Sequence, residues 1–446
     1  MIQIPDKVYE LITRLNKAGH EAYLVGGCVR DALLGKKPHD YDITTSALPE
    51  ETKKVFRNLP VIETGIKHGT VTVVIDHSPF EITTYRIDQE YLDHRHPDSV
   101  VFTKSLKEDL SRRDFTINAM AYHPQEGLID YFNGQKDLET CTIRCVGDAK
   151  TRFCEDALRI LRALRFSSRY DSPIEEKTRK AMKECAPLLV DISAERIASE
   201  LNGILCGKGI RRILTEYLDI FGVPIPELLP MEGFDQHNPH HIYDVLTHTA
   251  IAVESIPPEK DLRLAALFHD IGKPSCFSMT VDGIGHFYGH AKISEDLARN
   301  VLNRLKYDNL TKDSVLTLIK YHDLHMEESE KAVRKMLRKI GPELFRKLIL
   351  LNRADNLAQN PDLWERQVYY DRLEEIADKV LAEEQCFSLK DLAINGSDLI
   401  RLGYSPGPLL GTILNDLLDR VVEGELVNDP DALANYAETK YAKELL

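Results

Sequence analysis

The stretch Leu24-Val25-Gly26-Gly27-Cys28-Val29-Arg30-Asp31 places two glycines between an apolar strand and the start of a helix. Glycines let backbone N–H groups approach a phosphate closely, and the positive end of a helix favours an anion. Arg30 adds a side chain that can bind phosphate oxygens through two hydrogen bonds. A Gly-Gly turn by itself most often only satisfies backbone geometry, so its meaning depends on the residues around it.

Two aspartates follow this turn closely, in Asp40-Tyr41-Asp42. Residues 39–44 predict a strand, on which residues two positions apart face the same side, so we expect both carboxylates to converge. Adjacent carboxylates repel each other unless a cation neutralises them, as in a phosphoryl-transfer centre with two Mg²⁺ ions. An isolated Asp-x-Asp pattern more often marks a solvated strand end. Its position after the glycine turn favours a phosphoryl-transfer site.

The rest of the chain divides into a mixed part and a helical part. Residues 1–145 predict a helix over 6–18, a strand over 22–25 and a β-hairpin over 69–86. From residue 147 onward, apolar residues recur with helical spacing, and a Pro- and Gly-rich stretch at 222–239 is the best linker candidate. We therefore predict an α/β head followed by an all-helical body and tail.

A compact basic and polar cluster follows in the head, Arg112-Arg113-Asp114-Phe115-Thr116-Ile117-Asn118. Arginines suit a triphosphate, while Asp114 and Asn118 are candidates for binding a ribose hydroxyl. An equally good interpretation of these residues alone is the start of a helix with an acidic cap.

A charged stripe marks the predicted helix over 155–170, where Asp156, Arg159, Arg162 and Arg165 recur every three residues. Such a stripe usually faces solvent. Cytosine and adenine, however, both present an exocyclic amino donor beside a ring-nitrogen acceptor. The carboxylate of Asp156 and the guanidinium of Arg159 complement that edge and would reject guanine and uracil, which present the opposite order.

Taken together and in this order, these motifs resemble the class II nucleotidyltransferases of the polymerase-beta superfamily. That family comprises bacterial tRNA CCA-adding enzymes and the related poly(A) polymerases, and the resemblance covers roughly residues 22–170. It implies an α+β protein with a polymerase-beta-like nucleotidyltransferase head of mixed sheet and helices over 1–146. All-α parts follow: a neck for base recognition and RNA binding over 147–222, a body over 223–360 and a tRNA-binding tail over 361–446.

The resemblance also implies roles for individual residues. Asp40 and Asp42 would bind Mg²⁺ as the catalytic pair, and the RNA 3′ hydroxyl would attack the α-phosphate of CTP or ATP in line. Glu81 is a weaker candidate for a third carboxylate. The residues expected to bind the nucleotide are Gly26, Gly27, Arg30, Arg112, Arg113, Asp114, Asn118, Asp156, Arg159, Arg162 and Arg165.

A segment between Arg86 and Lys104 resembles the flexible loop with which CCA-adding enzymes switch from C to A addition. Its charged residues Arg86, Asp88, Asp93 and Arg95 are the candidates for that role. A loop of this length disfavours a CC-adding enzyme, whereas A-adding enzymes and poly(A) polymerases stay open as alternatives. A solvent-exposed connector is the other interpretation.

Histidines concentrate in the body, where 9 of the 16 lie between His237 and His325. The ordered set His248, His269-Asp270, His290, His322 and Asp355 resembles an HD phosphohydrolase domain. Imidazoles and carboxylates on separate helices suit a divalent transition metal with an open position for water. By resemblance, His248, His269, Asp270 and Asp355 bind the first metal, and His290 and His322 face a phosphate or a second metal.

Composition limits the remaining function classes. The 446 residues carry 57 Lys and Arg against 71 Asp and Glu, a formal charge of −14, so any RNA contact depends on local positive charge. Residues 331–353, with 8 basic side chains against 1 acidic, are one such region. No apolar run approaches 18 residues, no signal peptide is recognisable, and the sparse cysteines contain no CxxC pair. We expect a cytoplasmic enzyme whose partners are the tRNA 3′ end, CTP and ATP, with neither membrane nor DNA. The alternative from another class is an HD phosphohydrolase with an RNA-binding head.

Overall fold

The computed structural model describes residues 2–88, 100–382 and 389–442. The chain forms two compact units, Met1–Leu229 and Pro230–Leu446, and the boundary lies inside the Pro- and Gly-rich stretch at 222–239. The finer division into head, neck, body and tail stays a prediction.

The described residues of the first unit form nine strands. They are β1 (Ala22–Val25), β2 (Asp42–Thr45), β3 (Val61–Ile62), β4 (Thr70–Ile75), β5 (Ser78–Thr84), β6 (Arg86–Asp88), β7 (Val100–Phe102), β8 (Met120–His123) and β9 (Gly127–Asp130). Seven of them form one mixed sheet in the order β3-β4-β5-β2-β1-β8-β9, in which β2 and β5 are parallel and the other pairs are antiparallel. β6 and β7 form a separate antiparallel pair. The alternation Thr-Val-Thr-Val in β4 buries every second residue against the core, as the period of a strand requires.

Helices flank this sheet and then continue alone. They are α1 (Asp6–Lys17), α2 (Gly27–Leu33), α3 (Pro49–Val55), α4 (Leu106–Ser111), α5 (Gly134–Glu139), α6 (Ala149–Glu155), α7 (Leu158–Tyr170), α8 (Glu176–Cys185), α9 (Ala194–Leu205), α10 (Ile210–Glu216) and α11 (Leu218–Phe221). The apolar side of α1 packs on the sheet through Leu11 and Leu15, beside Val29 of α2. This packing fixes the connection between β1 and α2, where the glycine turn lies.

The second unit, over its described residues, is helical apart from one short hairpin. Its elements are α12 (Val245–Ser255), α13 (Lys260–Phe268), β10 (Ser278–Met279), β11 (Gly285–His286), α14 (His290–Arg304), α15 (Asn309–Tyr321), α16 (Glu330–Leu357), α17 (Gln367–Ala382), α18 (Gly396–Arg401), α19 (Pro408–Val422) and α20 (Pro430–Lys440). α16 is kinked at Gly341, whose φ of 81° is not helical and which precedes Pro342. α12, α13 and α15 all pack against α16.

Three details of the sequence prediction are wrong. The predicted strand over 39–44 begins only at Asp42, so Asp40 precedes it. The predicted helix over 155–170 is interrupted at Asp156, whose backbone is extended with φ −143° and ψ 102°. The hairpin of β10 and β11 is missed, because two-residue strands carry no detectable periodicity. The predicted α+β fold class itself is confirmed. In the described part of the chain, no helix has the length and apolar character to cross a membrane.

Candidate functional site

The turn between β1 and α2 depends on Gly26, whose φ of 75° lies in the region that favours glycine. A Cβ atom on Gly26 would lie 2.7 Å from an Nη atom of Arg113, so the missing side chain also makes room for that guanidinium. Among the described residues, the buried Nε of Arg113 has no hydrogen-bond partner. The turn therefore combines the start of a helix with an arginine that has unused donor capacity, which suits an anion.

The two predicted metal-binding aspartates lie beside this turn. Asp42 is directly opposite Val25 in the β1–β2 pair, one residue before Gly26. Burial raises the pKa of Asp42, Arg113 partly offsets that effect, and the negative charge of Asp40 adds to it. Two negatively charged carboxylates that repel each other at a partly desolvated site favour a bound cation. Asp40, Asp42, Gly26 and Arg113 are thus brought together.

A chain of hydrogen bonds connects α2 with α7. Arg30 donates to Asn118 and, at 2.9 Å, to Asp31, while Asn118 donates to Asp114 at 3.1 Å. Arg162 donates to one Asp114 oxygen from two nitrogens, at 2.8 and 2.5 Å. Burial opposes ionisation of Asp114, but Arg162 and Asn118 outweigh it and lower its pKa. These four predicted nucleotide-binding residues lie together and hold one another in place.

The two residues predicted to read the base do not pair with each other. Asp156 lies between α6 and α7, where one of its oxygens accepts from Arg196 at 2.7 Å and the other from the Leu158 N–H at 3.1 Å. Arg159 donates to Glu155 at 2.7 Å. Each is therefore oriented by a different neighbour. Their role in reading a base stays a prediction.

Two other predicted nucleotide-binding arginines form ion pairs within the first unit. Arg165 pairs with Glu200 at 2.6 Å. Arg112 pairs at 2.9 Å with Asp109, a fully buried carboxylate. Gly27 is the first residue of α2. The geometry leaves the roles of these residues as predictions.

The predicted flexible loop is described only at its start. The backbone N–H of Arg86, at the beginning of β6, donates to Asp109 at 3.3 Å, and its guanidinium donates to the His68 carbonyl. The backbone of Asp88 ends β6, whereas Asp93 and Arg95 lie outside the described residues. Glu81 is an exposed residue of β5, the strand that runs parallel to β2. Its role as a third carboxylate stays a prediction.

In the second unit, four histidines share one hydrogen-bonding pattern. Each ring is tied through Nδ1 to a backbone carbonyl: His248 to Ala358 at 3.1 Å, His269 to Ala266 at 2.8 Å, His290 to Phe287 at 3.0 Å and His322 to Ile319 at 2.6 Å. A carbonyl can only accept, so Nδ1 carries the hydrogen and Nε2 of each neutral ring is a free lone pair. This is the tautomer that a metal ligand requires.

These lone pairs converge on Asp270. The Nε2 atoms of His248 and His269 each lie 3.2 Å from Asp270 Oδ2, and His248 Nε2 lies 2.9 Å from Asp355. His290 Nε2 lies 3.4 Å from the other Asp270 oxygen. Nitrogen and oxygen lone pairs that face each other at these distances repel unless a proton or a metal ion lies between them. The donor set therefore fits a divalent metal, and all six predicted HD residues meet in one cluster, which we call the histidine cluster.

Comparison with known proteins places the chain. Residues 22–144 match the Poly A polymerase head domain, 173–220 match an RNA and SrmB-binding site of polymerase A, and 283–437 match domain 2 of tRNA nucleotidyltransferases. The CCA-adding enzyme of Leuconostoc mesenteroides is 34% identical over 98% of this chain and 97% of its own. The chain belongs to the family of CCA-adding enzymes. Another CCA-adding enzyme, from Pediococcus pentosaceus, is 36% identical over 95% of both chains.

A solved CCA-adding enzyme shares this architecture. The Bacillus stearothermophilus enzyme, crystallised in complex with CTP, superposes with a TM-score of 0.73 at 29% identity and covers 99% of both chains. The family and the fold class inferred from the motifs are thereby confirmed. The HD assignment of the second unit stays a prediction, carried by the geometry of the histidine cluster.

Sequence reasoning missed several residues that shape these sites. Arg196 was missed because its partner Asp156 lies 40 positions away in the sequence. Asp109 was missed although it lies only three residues before its partner Arg112, a spacing that was the available signal. Lys273 lies 2.7 Å from Asp270 and is buried; its spacing three residues after Asp270 was the available signal. His241 lines the cavity beside the histidine cluster, and burial, Lys273 and His248 lower its pKa to about 3.

Proposed function

We propose that this protein builds or repairs the 3′-terminal CCA of tRNA in the cytoplasm, adding nucleotides from CTP and ATP without a nucleic acid template. The observation that carries the proposal is full-length identity of 34% to a CCA-adding enzyme, in a chain where Gly26, Asp42 and Arg113 lie together. The negative net charge does not oppose this function, because the basic residues are locally concentrated in segments such as 331–353.

The reaction needs no protein nucleophile. The RNA 3′ hydroxyl attacks the α-phosphorus in line, a new P–O bond forms to that oxygen, and the bond to pyrophosphate breaks. The free donors of Arg113 and the N-terminus of α2 bind the triphosphate and stabilise its charge. Asp40 and Asp42 would hold Mg²⁺, which would supply charge neutralisation and favour deprotonation of the attacking hydroxyl. The raised pKa of Asp42, caused by desolvation and by the negative charge of the neighbouring Asp40, supports their assignment as its ligands.

Base selection is proposed to rest on Asp156 and Arg159. Asp156 accepts from the exocyclic amino group, and Arg159 donates to the ring nitrogen. Arg196 bonds to Asp156 and Glu155 bonds to Arg159, at 2.7 Å each, so each of the two side chains is oriented by a partner of opposite charge. Uracil and guanine would place a donor against a donor and an acceptor against an acceptor, which costs about 1–3 kcal/mol for each unsatisfied group.

Product ladders on a tRNA that lacks CCA test this function. With CTP alone we expect two cytidines, and with both nucleotides the complete CCA. An A-adding enzyme or poly(A) polymerase would add nothing from CTP, and a poly(A) polymerase would extend ATP products beyond one residue. Failure to add two cytidines contradicts the proposal.

A second experiment tests whether the head is the catalyst. The double variant Asp40→Asn/Asp42→Asn should abolish addition, whereas Asp76→Asn, at an exposed aspartate paired with Lys7, should retain it. Persistent addition in the double variant would exclude these aspartates as the catalytic pair.

We propose a second activity for the histidine cluster, a metal-dependent phosphohydrolase. The supporting observation is the set of buried Nε2 and carboxylate atoms on His248, His269 and Asp270 that lack hydrogen-bond partners among the described residues. Two overlapping ligand groups share Asp270, one with His248, His269 and Asp355 and one with His290 and His322. Transition metals such as Mn²⁺, Co²⁺ and Ni²⁺ suit mixed imidazole and carboxylate ligands.

Metal analysis separates this site from the head. Dialysed protein loaded with Co²⁺ should retain metal, and His269→Ala should lose it while CCA addition continues. His325→Ala is the matched control, because His325 stacks on Tyr369 and lies outside the ligand groups. Equal metal content in all three proteins would contradict the assignment.

A further inference from the structure

The cavity beside the histidine cluster is lined in part by residues that are not proposed metal ligands. Asp270, His290 and Asp355 line it, and so do His286 and Tyr288, from the segment that leads from β11 into α14. Any phosphoester bound at the cluster therefore shares the cavity with the aromatic side chains of His286 and Tyr288.

Tyr288 is unusually open for an aromatic residue, with 76% of it exposed. Its ring lies parallel to the ring of His286, with centroids 5.2 Å apart and planes 6° apart. One face is thus supported, while most of the ring meets solvent. An exposed flat ring that is backed by another is the arrangement on which nucleobases stack.

The segment that carries this aromatic pair is held in place on both sides. The Gly285 N–H donates to the His237 carbonyl at 2.7 Å, and the Asn238 amide donates to the Gly285 carbonyl at 3.1 Å. On the other side, His290 Nδ1 donates to the Phe287 carbonyl. The last bond also orients a cluster histidine, so the position of the aromatic pair is coupled to the ligand geometry. A backbone held in this way lets the aromatic pair bind a base with little loss of main-chain entropy.

We propose that Tyr288, backed by His286, is the specificity-determining residue of this cavity and stacks on the base of a nucleoside phosphoester. This role rests on the proposed phosphohydrolase function of the histidine cluster. In the reaction water attacks phosphorus, the P–O bond to the nucleoside breaks, and the nucleoside hydroxyl leaves with a proton. Free nucleotides and RNA 3′ ends that carry a terminal phosphate present the same group.

Steady-state kinetics of the Co²⁺-loaded full chain test the role. Adenosine 3′-monophosphate and glycerol 2-phosphate are the paired substrates, with and without a base. Tyr288→Ala should raise KM for the nucleotide about tenfold, with kcat and the glycerol 2-phosphate kinetics unchanged. Tyr288→Phe, which keeps the ring, should have the nucleotide KM of the unmodified protein. Tyr131→Ala, at a 47% exposed tyrosine of the first unit, is the control and should change nothing.

Binding and metal content supply independent readouts. Bound Co²⁺ should be equal in the unmodified protein and in Tyr288→Ala. Calorimetric titration should show weaker binding of adenosine 3′-monophosphate to the variant and unchanged binding of inorganic phosphate. A short RNA with a 3′-phosphate distinguishes the sources: a KM shift with this RNA identifies RNA ends as substrates, and a shift with the free nucleotide only identifies mononucleotides.

The outcomes that overturn the role differ from those that overturn the proposed activity. Unchanged kinetics in Tyr288→Ala, or an equal loss for both substrates, excludes base stacking while the metal-dependent activity stands. An unmodified protein that neither binds Co²⁺ nor hydrolyses either substrate excludes the phosphohydrolase function and the role of Tyr288 with it.

Discussion

Replacing Gly26 by alanine should damage the first unit in two separable ways. The backbone at Gly26, with φ 75° and ψ −131°, lies where other residues are strained by about 1–3 kcal/mol. The new Cβ would also lie 2.7 Å from an Nη atom of Arg113, so the guanidinium must move. Since Arg113 partly neutralises Asp42, its displacement should lower kcat/KM for CTP and ATP alike, beyond any loss of stability.

Gly19 provides the matched control for this substitution. Its φ of 88° also lies in the region that favours glycine, but among the described residues no atom beyond its chain neighbours lies within 4 Å of the position that a Cβ would take. Gly19→Ala should therefore lower the free energy of unfolding by about 1–3 kcal/mol in urea titrations and leave kcat/KM unchanged. If Gly26→Ala retains the kcat/KM of Gly19→Ala, the close approach of Arg113 to the turn has no functional meaning and the reasoning fails.

Three further substitutions follow from ion pairs in the structure. Asp114→Asn should lower the free energy of unfolding by about 2 kcal/mol at pH 7. This is less than for a fully buried ion pair, because the partner Arg162 is 32% exposed. Since the pKa of Asp114 is lowered in the folded state, the stability difference between the unmodified protein and the variant should shrink as the pH of urea titrations falls below about 4. Arg196→Met should free Asp156, raising KM for CTP and ATP about tenfold and increasing UTP misincorporation in single-nucleotide assays. Lys273→Met removes the cation that lies 2.7 Å from Asp270. Without the competing ammonium, calorimetry should show tighter Co²⁺ binding. Melting curves of the metal-free variant should show a lower stability, because Asp270 loses the charge that pairs with it.

The motifs predicted which residues meet at the head because their spacing is local. Gly26 and Asp42 lie at the ends of neighbouring strands, and the pairing of β1 with β2 brings them together. The same reasoning wrongly placed Asp40 on the strand, because β2 begins only at Asp42. Strand boundaries depend on pairing partners far along the chain, which local patterns do not contain.

The histidine cluster was predicted as a set but not in its geometry. Order and residue type pointed to the six candidate residues. The carbonyl partners of the four Nδ1 atoms belong to the backbone, so residue identity does not reveal them. Arg196 escaped notice for a related reason, because its contact with Asp156 joins residues 40 positions apart. Ion-pair partners on separate helices follow from packing, and packing is decided by the whole chain.

The extended backbone of Asp156 has a mechanical consequence. It separates α6 from α7, and the Leu158 N–H at the start of α7 donates to the Asp156 side chain at 3.1 Å. Arg159 of α7 donates back across this break to Glu155 at 2.7 Å and to the Arg152 carbonyl at 3.3 Å, both in α6. These bonds hold Asp156 and Arg159, the two residues proposed to read the base, at one spacing. A pyrimidine and a purine must therefore be recognised by the same arrangement of the two side chains.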